Sequence, residues 1–126
     1  MVYSAGLPLV IVPLDSTTYV TLSEQERKQV SNYDSPLTFS LECLYRLWLS
    51  GPNARMTLHD QLAAVDAAEP GRFFAKTETL PLSVDGQGFT RVDAQAGKPV
   101  VVRLQPKRDE FMQYYLGELR GQHLGK

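Results

Sequence analysis

Residues 36–49, PLTFSLECLYRLWL, constrain the fold most strongly, because they predict a helix with apolar side chains on nearly every side. Ser35 is a favourable N-cap and Pro36 suits the first helical position, while the Gly51-Pro52 pair ends the helix. A helix of this kind lies at the centre of a core or against another molecule. Its apolar positions are Leu37, Leu41, Leu44 and Trp48, extended by Phe39, Cys43 and Leu47. We therefore expect Cys43 in the core.

Three further helices are predicted around this one. Ser23 and Glu26 have capping-box spacing, which predicts a short helix over 24–31. Thr57 and Asp60 have a similar spacing before a helix that Pro70-Gly71 closes, and the short break before it predicts a helical hairpin with 36–49. The last helix follows Pro106 and ends near Gly121, after which 121–126 are expected to form a flexible tail.

Five segments have the composition of strands. LVIVPL (9–14) and TTYVTL (17–22) are predicted to pair as a hairpin, and RFFAKTETLPLSV (72–84), GFTRVDA (88–94) and KPVVVRLQ (98–105) as an antiparallel meander. The expected fold is therefore α+β, with an antiparallel sheet of four to five strands packed against three to four helices. The predicted order is β-β-α-α-α-β-β-β-α, in one domain over 1–120.

Charge and cysteine content limit the possible partners. The 126 residues carry a net charge of −1, so there is no global field to attract nucleic acid or an anionic membrane. The most apolar run, residues 6–14, is too short to cross a bilayer. A single cysteine excludes an internal disulfide and fits a reducing compartment, so we expect a cytoplasmic protein.

Catalytic patterns are sparse. His59-Asp60 is a dyad of the kind found in metal-dependent phosphohydrolases, but the only other histidine is His123 and the further ligands are missing. The dyad is therefore interpreted as the start of a surface helix, where the negative charge of Asp60 interacts favourably with the helix dipole. There is no G-x-S-x-G nucleophile motif. These absences predict a protein that is not an enzyme and holds no metal or cofactor.

The stretch DGQG, residues 85–88, is the nearest thing to a ligand-binding loop. A strand follows it, whereas a phosphate-binding loop leads into a helix. Asp85-Gly86 instead suits a type I′ hairpin turn, and Gly88 suits a bulge. The stretch is therefore predicted to be a hairpin turn.

LSVDGQGF (82–89) followed by AGKPVVVRL (96–104) resembles a stretch of PilZ domains, in which a serine and a glycine bracket a turn. The resemblance implies a barrel that binds a cyclic dinucleotide near Ser83, Asp85 and Gly86. The chain departs from the family in lacking the upstream arginine pair, and it turns helical where the barrel would continue.

The leading functional hypothesis is a small non-enzymatic protein that binds other proteins as a regulator, adaptor or dedicated chaperone, and self-associates as a homodimer. Two apolar helix faces carry this hypothesis, because aromatic residues and methionine are enriched in interface cores. The predicted partner-binding residues are Leu41, Leu44, Trp48, Phe111, Met112, Tyr115 and Leu119. The alternatives are a small-molecule or nucleotide sensor, with its ligand at Ser83, Asp85, Gly86 and Arg91, and an enzyme of unknown chemistry.

Overall fold

The computed structural model describes Tyr3, residues 5–52 and residues 54–121. Over these residues the chain is α+β, with a four-stranded sheet and five helices. The elements, in chain order, are β1 (Val10–Ile11), α1 (Leu14–Thr17), α2 (Glu24–Ser31), α3 (Pro36–Leu49), α4 (His59–Ala68), β2 (Phe74–Val84), β3 (Thr90–Val92), β4 (Lys98–Pro106) and α5 (Arg108–Gly121).

The sheet is mixed, so the prediction of an antiparallel sheet is wrong. Its strand order is β1-β4-β2-β3, with β1 parallel to β4 and β2 antiparallel to both of its neighbours. The meander is wrong as well, because β4 crosses the end of β2 and pairs with its other edge. Gly97 permits this crossing, since a Cβ on Gly97 would lie 2.5 Å from the carbonyl carbon of Pro81. The β3 strand, only three residues long, is left at the edge.

The predicted second strand, 17–22, is also wrong. Pro13 is at the N-cap position of α1, and α1 takes up residues that the sequence assigned to a turn and a strand. Side chains in this stretch bond to the local backbone, as the hydroxyl of Thr18 does to the carbonyl of Leu14 at 2.8 Å, and such bonds compete with strand formation. Thr21 forms a single bridge with Thr57 instead of pairing with residues 9–14.

The cap signals located α2 and α3 well. The Ser23–Glu26 capping box is formed, and Ser35 caps α3 with Pro36 in its first turn. The box predicted at Thr57–Asp60 is not formed, because Leu58 occupies the N-cap of α4. The expected hairpin of α3 with α4 is not the main packing either, since α3 packs chiefly against α2.

The main hydrophobic core lies between the helices and the start of β2. Its fully buried residues include Val20, Val30, Leu58, Leu62 and Phe111. Beside it, Leu82, Val100 and Val102 form a smaller cluster on the sheet.

The α3 helix does not lie at the centre of the core. Leu44 and Trp48 are 60% and 64% exposed, and Phe39 and Leu47 are exposed as well. Cys43 is exposed too, which corrects the prediction of a core cysteine. The reason is that neighbouring elements cover only one side of the helix, the side that carries Tyr45 and Thr38.

In the part of the chain that the structure describes, no helix has the length and apolarity needed to cross a membrane. Of the predicted tail, Gly121 is the last residue of α5, and 122–126 lie outside the described residues.

Candidate functional site

The structure brings His59, at the start of α4, next to Thr17, at the end of α1. Asp60 is the residue that follows His59 on α4. The Nδ1 atom of His59 lies 2.7 Å from the hydroxyl oxygen of Thr17. Thr17 is only 3% exposed, whereas His59 is half-buried and Asp60 is exposed. The result is an imidazole that is held on one side by a buried hydroxyl.

One side-chain hydrogen bond and one pair of backbone hydrogen bonds bring the end of α1 to the start of α4. The hydroxyl of Ser16 donates to the carbonyl of Arg103 at 2.8 Å, which anchors α1 on β4. Beyond α1, Leu22 donates to the carbonyl of Met56 at 2.8 Å and Leu58 donates to the carbonyl of Val20 at 2.9 Å. These two short antiparallel segments end at the turn that opens α4, so His59 follows directly from them.

A buried ion pair fixes α4 on the sheet. The Oδ2 atom of Asp66 accepts a hydrogen bond from Nε of Arg103 at 3.0 Å. The other carboxylate oxygen accepts from the backbone nitrogen of Gly71 at 2.7 Å. Because Arg103 lies on β4, the strand that also anchors Ser16, both helices of the site are attached to the same strand.

The chemistry available here is proton transfer. Imidazole exchanges protons near neutral pH, which makes histidine the commonest general acid or base. The hydrogen bond of the His59 ring is made by Nδ1. Among the described residues, every buried side-chain nitrogen or oxygen has a hydrogen-bond partner, so a ring nitrogen without a partner is not buried. The Nε2 atom is therefore open to a bound molecule or to water. Within the same described residues, no group of three or more His, Cys, Asp or Glu side chains could hold a metal ion.

A second feature, an apolar cleft of about 570 Å³, lies on the sheet beside α1. Leu14 and Asp15 of α1 contribute to its wall, whereas His59 is not among its lining residues. Its remaining lining residues are Ile11, Pro13, Leu80, Leu82, Gly88, Phe89, Thr90, Arg91, Val92, Val102 and Leu104.

The predicted ligand residues Ser83, Asp85, Gly86 and Arg91 lie at the β2–β3 hairpin, and of these only Arg91 lines the cleft. Both oxygens of Asp85 are occupied, one by backbone nitrogens of the turn and the other by Arg91 at 2.6 Å. The hydrogen bond from Arg91 is the main cause that lowers the pKa of Asp85.

The hairpin itself is confirmed, but its turn is not type I′, because neither Asp85 nor Gly86 has a positive φ. Gly88 takes that conformation instead, with φ +91°, and so occupies the predicted bulge. In the described residues β4 leads into α5, and the sheet does not close into the barrel that the PilZ resemblance implies.

The predicted partner-binding residues do not form one surface. Leu44 and Trp48 are exposed and Leu41 is half-buried. Phe111, Met112 and Leu119 belong to the core of this chain, as the apolar face of α5 turns inward. The hydroxyl of the half-buried Tyr115 lies 2.9 Å from that of Tyr45.

Sequence reasoning found His59 and Asp60 but interpreted them as a plain helix start. It missed Thr17, which was placed in a strand. No local signal could have identified Thr17, because its partner lies 42 residues away along the chain.

Comparison with known proteins gave matches only among solved structures. No protein-family model matches the chain, and no curated protein matches it. An inosine-uridine preferring nucleoside hydrolase from Bacillus anthracis is similar over 94% of this chain, with a TM-score of 0.72 and 24% identity. A purine-preferring ribonucleoside hydrolase from Gardnerella vaginalis is similar over 95%, with a TM-score of 0.75 and 21% identity. An inosine-guanosine nucleoside hydrolase is similar over 90%, with a TM-score of 0.71 and 15% identity.

The chain spans only 38 to 42% of the length of these three proteins. At these identities the similarity establishes a shared fold. That fold is found in enzymes, and the prediction of a non-enzymatic protein that works through protein binding is therefore corrected.

Proposed function

We propose that this chain is part of a hydrolase that cleaves the N-glycosidic bond of a ribonucleoside. The observation that carries the proposal is the fold similarity over 90 to 95% of the chain to three nucleoside hydrolases. It supports the alternative of an enzyme, and it gives that enzyme a substrate class.

The reaction needs a proton donor. Water adds to the anomeric carbon of the ribose while the bond from that carbon to the base nitrogen breaks, and the electron pair leaves with the base. A base departing as an anion is a poor leaving group, so an acid that delivers a proton to it accelerates the step, typically by about a hundredfold or more. Water then returns a proton to the site as the ribose hydroxyl forms.

His59 suits this task by type and by position. Its ring is half-buried and held through Nδ1 by Thr17, so Nε2 is the atom available to the departing base. Asp60 adds an exposed carboxylate on the next residue. A carboxylate in this position accepts hydrogen bonds from ribose hydroxyls and stabilises positive charge that develops on the sugar.

The test is hydrolysis of inosine, guanosine, adenosine and uridine by the purified complete protein that contains this chain, followed as free base and reducing sugar. We expect the wild type to release both products from at least one nucleoside, and His59→Gln and Asp60→Asn to lower kcat/KM by about a hundredfold.

Asp109→Asn is the matched control. Asp109 is the second residue of α5, as Asp60 is of α4, and it is exposed. We expect this variant to keep wild-type activity. A folded wild type that hydrolyses no nucleoside, or a His59→Gln variant with wild-type kcat/KM, would contradict the proposal.

A further inference from the structure

We infer that Thr17 is a positioning residue, which holds the His59 ring with Nδ1–H directed inward and Nε2 directed toward the substrate. The catalytic consequence rests on the proposed hydrolase function, whereas the ring geometry does not. The observation is the 2.7 Å separation of the Thr17 hydroxyl oxygen from Nδ1.

Thr17 is itself firmly held. It is buried at the end of α1, and its backbone nitrogen donates to the carbonyl of Pro13 at 3.1 Å. The neighbouring Ser16 ties the same turn to β4 through the carbonyl of Arg103. A hydroxyl placed in this way has little freedom to follow the imidazole, so the imidazole is oriented by the hydroxyl.

The inferred direction of this hydrogen bond, from Nδ1–H to the hydroxyl oxygen, leaves the hydroxyl proton for a second acceptor. The Thr17 hydroxyl has an acceptor in its own turn, the carbonyl of Leu14, at 3.4 Å. With its proton directed there, the oxygen accepts from Nδ1–H of His59. This arrangement serves the neutral ring and also the protonated ring, in which Nδ1 must be a donor.

The consequence for the reaction is that Nε2 alone exchanges the proton. The hydrogen bond on one ring nitrogen sets which nitrogen is available on the other side. Thr17 acts only through His59, because its buried hydroxyl is already shared between Nδ1 and the carbonyl of Leu14.

The direct test is nitrogen NMR of the His59 ring in the purified protein, at a pH of about 8.5, where imidazoles are neutral. We expect the Nδ1–H tautomer in the wild type and in Thr17→Ser, which keeps the hydroxyl. We expect Thr17→Val to lose that preference. Thr18→Val is the matched control. It removes an exposed hydroxyl from the adjacent residue, and His59 keeps its hydrogen bond with Thr17.

Kinetics give the second readout. Thr17→Val is expected to lower kcat by about tenfold to a hundredfold with a smaller change in KM, since misorientation of an acid affects the transition state most. Thr17→Ser is expected to restore most of kcat. Circular dichroism separates this effect from loss of folding.

An Nε2–H tautomer in the wild type, or identical His59 spectra in wild type and Thr17→Val, would overturn the inference. Because the spectra are recorded without substrate, they decide it even if no nucleoside is hydrolysed. If the wild type gives the expected spectra but hydrolyses no nucleoside, that result counts against the proposed function alone.

Discussion

Asp66 on α4 and Arg103 on β4 form a buried ion pair, with 3.0 Å between Oδ2 and Nε and side-chain exposures of 6% and 11%. Further hydrogen bonds support the pair, because Gly71 donates to the second carboxylate oxygen and Arg103 also donates to the hydroxyl of Thr77. It attaches the helix that begins with His59 to the strand on which α1 is anchored.

Removing one partner of this pair is expected to be costly. Asp66→Ala leaves a buried guanidinium without its carboxylate, so the free energy of unfolding should fall by about 3 kcal/mol in urea titrations. The double variant Asp66→Leu/Arg103→Met should lose less, because both charges are removed together. Glu24→Gln, which breaks an exposed pair with Lys28, should cause no measurable change. Equal effects of Asp66→Ala and Glu24→Gln would contradict this account.

The β2–β3 turn offers a comparison between two glycines with equal space around them. A Cβ would meet nothing within 4 Å at either Gly86 or Gly88, but Gly88 has φ +91° and Gly86 does not have a positive φ. Gly88→Ala should therefore lower the free energy of unfolding by about 1 kcal/mol, and Gly86→Ala should leave it unchanged or slightly raised. Thermal unfolding of the two variants measures the difference, and a larger loss for Gly86→Ala would refute it.

Two leucines on neighbouring helices should differ sharply in their contribution to stability. Leu62 is fully buried in the main core, and Leu47 is 72% exposed on α3. Leu62→Ala should cost about 2–5 kcal/mol through the cavity it leaves, and Leu47→Ala should stay within about 0.5 kcal/mol. Denaturant titration gives both values. If Leu47→Ala proves as damaging as Leu62→Ala, the exposed side of α3 is covered in solution.

Tyr45 predicts a loss of stability at high pH. Burial first, and then the hydrogen bond with Tyr115, raise the pKa of Tyr45 well above its ordinary value of 10.0. The unfolded chain therefore releases this proton near pH 10 while the folded chain keeps it, so the free energy of unfolding falls as the pH rises above 10. The decline should be shallower in Tyr45→Phe than in the exposed control Tyr19→Phe, measured by urea titration from pH 8 to 11. Parallel curves for the two variants would argue against this assignment.

The sequence predicted what short-range chemistry determines. Ser23, Ser35 and Pro36 located two helices because caps act within one turn. The long β2 and β4 strands were found by their composition, and Gly88 by its place in the hairpin. The parallel pairing of β1 with β4 was not predictable, since it depends on which sheet edge a distant segment reaches.

The same limit explains the errors at the site and on α3. His59 and Asp60 carried a recognisable pattern. The contact of His59 with Thr17, however, joins two helices, and the sequence of neither helix indicates that they meet. Apolar composition indicated that α3 needs a partner surface, yet the side that is covered depends on how α2 packs. Trp48 shows this, because it is exposed although it is the largest side chain of the helix.

The bond from Ser16 to the carbonyl of Arg103 joins residues that are 87 positions apart. A ribosome must therefore release nearly all of the segment up to β4 before α1 can dock, and closing so long a loop carries an entropic cost before any contact is gained. Until β4 has emerged, the hydrogen bond that anchors α1, and with it Thr17, to the sheet cannot form.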